Sequence, residues 1–256
     1  MKTIDLNADI GEANTPEWAA SEAAIVSAIS SANIACGGHA GDDSSMRITV
    51  RNAKAAGVTI GAHPAYPDRA NFGRTSLVLG QDIERRVLKE SLRSQILSLA
   101  EICSHENARL AYIKPHGALY NDSVFDAEKA DLITDLIAEL DMDLRFLGGP
   151  NSEMGRAAKD HKIDFVAEGF IDRRYTDDGH LLSRAHDGAV IKDQTERLAQ
   201  ALALATTGQV ITNSGKILTL KTGSLCVHGD SAGAVETARQ ARAAIEAEGL
   251  SIKAFA

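Results

Sequence analysis

An α/β fold of parallel strands covered by helices is what this sequence predicts, on three observations. Short apolar runs alternate with amphipathic stretches about seven times along the chain. The strand cores are near-continuously apolar, as strands covered on both faces are. A length of 256 residues is close to that at which a parallel α/β barrel closes. An open doubly wound sheet and a closed barrel both fit this alternation.

Strands are expected at residues 4–9, 32–36, 58–63, 110–114, 144–147, 164–168 and 224–228, with cores such as NIAC, VTIGA, LAYI and LCV. A first helix is expected over 16–30, with Thr15 as N-cap and Pro16 at the first helical position. The second, 42–56, stops at Gly57, a residue suited to a helix C-cap. Residues 81–103 place Val87, Leu88, Leu92, Ile96 and Leu99 at helical spacing, and further helices follow at 127–140, 152–159, 194–205 and 232–248. Residues 210–220 read differently: two short β runs around Asn213-Ser214-Gly215 make a hairpin inserted before the last strand. No linker, repeat or composition break divides the chain, so one domain over 1–256 is expected.

Composition narrows the function. With 27 Lys+Arg against 35 Asp+Glu the net charge is −8, and no basic run offers a track for nucleic-acid phosphates. The 44% apolar content suits a large core rather than a disordered chain. No apolar run approaches the ~20 residues that span a bilayer, so no membrane partner is expected. Cys36, Cys103 and Cys226 are scattered, with no CxxC, which is the usage of a reducing compartment. Acidic residues interrupt MKTIDLNADIGE before a signal-peptide core could form. Together these predict a cytoplasmic protein.

Polar residues gather where the strands end. The first strand runs out through Asn7-Ala8-Asp9-Ile10-Gly11-Glu12, the second into Gly37-Gly38-His39-Ala40-Gly41-Asp42, and the third into His63-Pro64. The fourth gives Lys114-Pro115-His116-Gly117, the sixth Glu168, Asp172 and Arg173, and the seventh His228-Gly229-Asp230. In α/β folds that rim is where ligands bind. Turn glycines and capping aspartates belong there for structural reasons, but histidine has no comparable task. His39, His63, His116 and His228 are therefore expected to line one pocket. His105 and His161 follow helix ends, where an imidazolium complements the dipole; His180 and His186 fit a rim loop or plain surface equally well.

Several chemistries suit this set. Asp9, His39 and His63 could hold a divalent metal that activates water, or the same groups could serve as metal-free general acids and bases. Lys114 could form a Schiff base, although a salt bridge to Asp9 or Glu168 is the reading we favour. Arg74, Arg173 and Arg184 suit a carboxylate or phosphate. Backbone N–H groups of Gly37–Gly41 could meet an anion, but there is no GxGxxG, and Gly208 to Gly215-Lys216 has the wrong spacing for a P-loop. No ATP site is recognisable in this chain.

Six segments together resemble the LamB/YcsF family: DLNADIGE (5–12), NIACGGHAGD (33–42), IGAHPAYPDRANFGR (60–74), IKPHGALYN (113–121), AEGFIDRRYTDDGHLLSR (167–184) and SLCVHGD (224–230). The departures lie in loops: a shortened Ala13-Asn14-Thr15, Thr75 after Arg74, and Ser183 where proline is common. The resemblance implies a TIM-like (β/α) barrel of the glycoside hydrolase/deacetylase type, seven-stranded or distorted. It also implies ATP-dependent hydrolysis of 5-oxoproline (pyroglutamate) to L-glutamate by a multi-subunit 5-oxoprolinase. Partner subunits B and C would carry most of the ATP use, which accounts for the absent nucleotide motif. In that reading Asp9 or Glu12 is the general base, and His39, His63 and His116 orient water or hold the oxyanion or phosphate. Lys114 and Arg173 bind anionic groups, Asp172 and His228 support acid–base steps, and Asn7, Arg74, Glu168 and Arg184 join Arg173 in binding substrate. A homo-oligomer is compatible with all of this. The competing expectations are a stand-alone metal-dependent deacylase, a non-catalytic subunit that binds a small amide, and an aldolase or isomerase using Lys114.

Overall fold

The structure, a computed structural model, describes residues 2–229 and 233–256. Six parallel strands follow one another around a barrel: β1 (Thr3–Ile10), β2 (Ser31–Ala35), β3 (Thr59–His63), β4 (Leu110–Ile113), β5 (Arg145–Gly148) and β6 (Phe165–Phe170). An antiparallel hairpin, β7 (Gln209–Ile211) and β8 (Ile217–Thr219), precedes β9 (Ser224–Val227). This last strand pairs with β6 through Glu168–Ser224 and with β1 through Asn7–Cys226, and so closes a seven-stranded barrel. A two-residue strand, β10 (Ser251–Ile252), pairs with the start of β1. The alternation in the sequence thus resolves into a closed barrel rather than an open sheet.

Among the described residues, eight α-helices cover the outside: α1 (Pro16–Ile25), α2 (Asp43–Ala55), α3 (Arg85–His105), α4 (Gly117–Phe125), α5 (Ala127–Glu139), α6 (Glu153–Asp160), α7 (Gln194–Thr206) and α8 (Ala234–Ala247). Thr15 caps α1 by accepting from the Trp18 N–H, and Asp42 opens α2 in a capping box with Ser45. The expected first helix is too long. Ser30 is drawn instead to β1, where its N–H meets the Leu6 carbonyl and its hydroxyl donates to Asp5. The third starts later than expected, because Asp82 accepts from the Val78 N–H and holds residues 78–82 in a turn. Helix α4, unmarked in the sequence, leaves directly from the turn after β4, and β10 is too short to show a pattern. Residues 230–232, including Asp230 and the expected start of the last helix, lie outside the described residues. Among those described, no helix is long and apolar enough to cross a membrane.

The barrel wall is apolar outward and polar inward. Leu6, Ala8 and Ile10 of β1 join the core shared with the helices, while Asp5, Asn7 and Asp9 reach across to other strands. Ser30, Ser31 and Ser224 all donate to Asp5. Asn7 donates to Glu168 at 3.3 Å and to Ser224 at 2.7 Å. Asn33 donates to Asn7 and Asp9, both at 2.7 Å, and receives the Tyr112 hydroxyl at 2.7 Å. The Tyr112 ring needs the space over Gly61, where an added Cβ would stand 2.2 Å from it.

Candidate active site

This polar interior opens at the carboxyl ends of the strands into a cavity of about 470 Å³. Asp9, Glu12, His63, Lys114, His116 and His228 line its floor, with Arg74, Glu168, Arg173 and Arg184 also in the wall. Three further residues expected at the site stand just behind. Asn7 ties Glu168 to Ser224, His39 meets Glu12, and Asp172 receives the His228 ring at 2.9 Å. His180 reaches the wall, edge-on to Phe125, whereas His186 is exposed. His105 sits in the last turn of α3 near Glu101, and His161 caps α6 and contacts Asp131.

Lys114 is almost fully buried, its ammonium 3.0 Å from Asp9 and 3.2 Å from Glu168. Burial works against that charge, but Asp9 and the other neighbouring groups outweigh it and hold the amine well above its ordinary value. An amine so strongly protonated is a poor nucleophile, which argues for the electrostatic role over imine chemistry. Burial alone would raise the Asp9 carboxyl; His63 and Lys114 reverse this and hold it well below the usual carboxylate range. Asp172 is likewise lowered against its burial by His228. The Arg173 guanidinium is brought down to about 10, first by burial and then by Arg184. It donates to the carbonyls of Leu182 and Ala189, so it fastens the loop that forms one wall.

The second centre is a cluster of Glu12, His39, His63 and His116, whose ligand-type atoms all lie within 4.8 Å of one another. Such a set could hold a metal ion. It differs from the trio expected from sequence: Asp9 stands 3.5 Å from His63 but is committed to Lys114 and Asn33, and Glu12 with His116 completes the group. Burial, followed by the neighbouring histidines, pushes both His39 and His116 well below the ordinary histidine value. Their rings stack in parallel, 3.5 Å apart.

Two supporting residues were not apparent from the sequence. Glu22 of α1 accepts the backbone N–H groups of Gly11 and Glu12, each at 2.9 Å, and so fixes the turn that presents Glu12. Burial raises its carboxyl to about 7. Gln95 of α3 bridges the Ala65 N–H and C=O while crowding Gly38, which fixes the loops after β2 and β3. Gln95 shows in the sequence only as a polar residue among Leu88, Leu92, Ile96 and Leu99 on the buried face of its helix. Gly215-Lys216 lies in the β7–β8 turn, where the Gly215 N–H is already bonded to Thr212.

A closed parallel α/β barrel with acids, bases and cations converging at its strand ends is the build of a barrel enzyme. The chain belongs to the LamB/YcsF family, whose model matches residues 4–256. It is 38% identical over 254 residues to the 5-oxoprolinase A subunit of Methylococcus capsulatus, covering 99% of this chain and 96% of that one. The crystal structure of the lactam utilization protein from Thermus thermophilus superposes with a TM-score of 0.89 at 33% identity, over the whole of both chains. A family 4 carbohydrate esterase from Streptomyces lividans shares the barrel alone, with a TM-score of 0.53 at 9% identity over 100% of this chain and 93% of that one.

Proposed function

We propose that this chain is the lactam-opening A component of an ATP-dependent 5-oxoprolinase, acting in the cytoplasm with subunits B and C. The observation that carries this reading is the end-to-end likeness to proteins of that name. The free, buried cysteines suit a reducing compartment. A five-membered lactam is an unreactive amide. Phosphorylation of its oxygen, with ATP engaged mainly through the partner subunits, makes the ring carbon electrophilic. Water then adds to that carbon, the C–N bond breaks as nitrogen takes a proton, and a second water hydrolyses the resulting acyl phosphate to L-glutamate and phosphate.

Asp9 or Glu12 takes the proton from water, each being a carboxylate on the cavity floor. His116 and His63 orient that water and hold developing negative charge, with His39 behind them positioning Glu12. The His228–Asp172 pair supplies a proton donor on the β6–β9 side. Lys114, Arg74, Arg173 and Arg184 meet carboxylate and phosphoryl groups, with Asn7 and Glu168 holding Lys114 in place. A cavity of about 470 Å³ exceeds a small lactam and leaves room for its phosphoryl group.

The test is co-expression with candidate neighbouring subunits and assay of ATP-dependent glutamate release from 5-oxoproline. Asp9→Ala and His63→Ala should each abolish turnover while assembly and circular dichroism stay normal; near-normal turnover in both would remove these residues from the site. The Glu12–histidine cluster favours one second reading, a stand-alone metal-dependent deacylase. Amide or ester hydrolysis without ATP or partners, lost on chelation, would select it.

A further inference from the structure

We propose that His63, His116 and Glu12 form a resident binding site for a zinc-like divalent cation, with His39 holding the Glu12 carboxylate in position. Tautomers make the argument. His63 Nδ1 lies 2.8 Å from the backbone carbonyl of Lys114, and His116 Nε2 lies 3.0 Å from that of Phe72. A carbonyl can only accept, so each of these nitrogens carries the ring proton. The opposite nitrogens, His63 Nε2 and His116 Nδ1, face each other at 3.0 Å, with the Asp9 carboxylate 3.5 Å from His63 Nε2, so in the neutral rings two lone pairs meet there. Two buried lone pairs at that distance repel unless an added proton or a metal cation stands between or beside them, and the Glu12 carboxylate beside the pair is what favours the metal.

Glu12 supplies an anionic oxygen 3.3 Å from His116 Nδ1 and 4.0 Å from His63 Nε2. Zinc bonds of about 2.0–2.2 Å in tetrahedral geometry place neighbouring ligand atoms about 3.4 Å apart. The three separations here, 3.0, 3.3 and 4.0 Å, bracket that value. Fixing a histidine ligand through a bond from its other nitrogen to a carbonyl is the usual outer arrangement of a metal site. Two imidazoles and one carboxylate suit zinc or cobalt better than calcium or magnesium, which prefer oxygen. Three protein ligands leave the fourth tetrahedral position free for solvent or substrate. His39 donates to Glu12 from 2.8 Å, and Glu22 pins the backbone beneath it.

A shared proton is the competing way to relieve the lone pairs, and the test separates the two. The full-length protein alone, freed of metal with chelator, is titrated with Zn²⁺ and Co²⁺ and followed by elemental analysis, Co²⁺ absorption and thermal shift. One equivalent with a tetrahedral cobalt spectrum is expected. His63→Gln and His116→Gln should each weaken binding by about 100-fold or more, with His105→Gln as an unaffected control; weakening by loss of an outer support such as His39 should be about 10–100-fold. Nitrogen NMR of the wild type needs no variant. A metal-free wild type with one imidazolium shared between His63 and His116, and no tight cation, overturns the proposal, as does binding that survives both substitutions. Neither readout uses lactam, ATP or partners, so failure here leaves the 5-oxoprolinase reading standing, and the reverse holds too.

Discussion

Lys114→Met would strip away an ammonium that lies between two buried carboxylates. In the native chain this amine is 2% exposed and stands 3.0 Å from Asp9 and 3.2 Å from Glu168. Methionine matches its length, so the cost comes from charge rather than from a void. Removing one partner of a buried ion pair costs about 3–5 kcal/mol. For a chain of this size that is a drop of about 6–20 °C in melting temperature. The sign of the pH effect follows from the shifts. Asp9 titrates well below its unfolded value, so its contribution is present at neutral pH and is lost as pH falls through the folded value. In the variant Asp9 keeps His63 but loses Lys114, one of the groups that hold its carboxyl down against burial, so that carboxyl rises and acid neutralises it more readily. The gap between wild type and variant should therefore narrow from pH 7.5 to pH 5. Urea unfolding at both values measures it. Asp9→Asn on top of Lys114→Met should recover part of the loss, since it removes the stranded anion. A loss under about 1 kcal/mol, or a gap unchanged with pH, would refute the electrostatic account of Lys114.

Two further substitutions probe the barrel interior. Gly61→Ala places a methyl 2.2 Å from the Tyr112 ring, which β4 and the Asn33 hydrogen bond hold in place; overpacking of this kind costs about 1–3 kcal/mol, read as a fall in urea midpoint with the m-value unchanged. Asp5 is raised from 3.8 to about 6 chiefly by burial, so the folded state holds a proton that the unfolded chain releases, and stability contributed there is lost as pH rises between about 4 and 6. Asp5→Asn should flatten that slope, on the order of 3 kcal/mol across the window; an unchanged slope would show that another group sets it.

Much of the site was legible because its residues sit where the chain must turn. His39, His63, His116 and Lys114 each follow an apolar run and stand beside Gly or Pro, so the strand-end rule located them without any contact information. Membership of the two charge centres was not legible. Asp9 and Glu12 are both acids at the end of β1, and Gly11, with φ +78°, turns the chain between them and aims Glu12 at the histidines. The sequence shows that glycine but not the direction it sends the chain. Glu22 was hidden because a glutamate in a helix reads as solvent-facing, and nothing local reveals that the turn after β1 packs over it. Helix α4 was hidden too, since its N-cap position is His116, with no side-chain cap to mark it.

The polar interior explains why this barrel can carry charges so close together. An ordinary barrel of this class fills its centre with branched apolar side chains. Here Asp5, Asn7, Asn33, Ser31, Ser224 and Tyr112 form a hydrogen-bonded column from the barrel floor to Asp9 and Glu168. Asn33 accepts from Tyr112, Asn7 accepts from Asn33 and Lys114, and each amide donates to two further groups, so Asn7 and Asn33 have fixed orientations rather than two interchangeable ones. That fixes the oxygens of Asp9 and Glu168 relative to Lys114 before any ligand arrives. Charges placed this way need little reorganisation during reaction, which is the condition under which electrostatic stabilisation of a transition state is largest. On the proposed reading, Asp9 and Glu168, held with Lys114 by that network before a ligand arrives, would set the chemistry, and the loop residues Arg74, Arg184 and His180 in the cavity wall would set what is admitted.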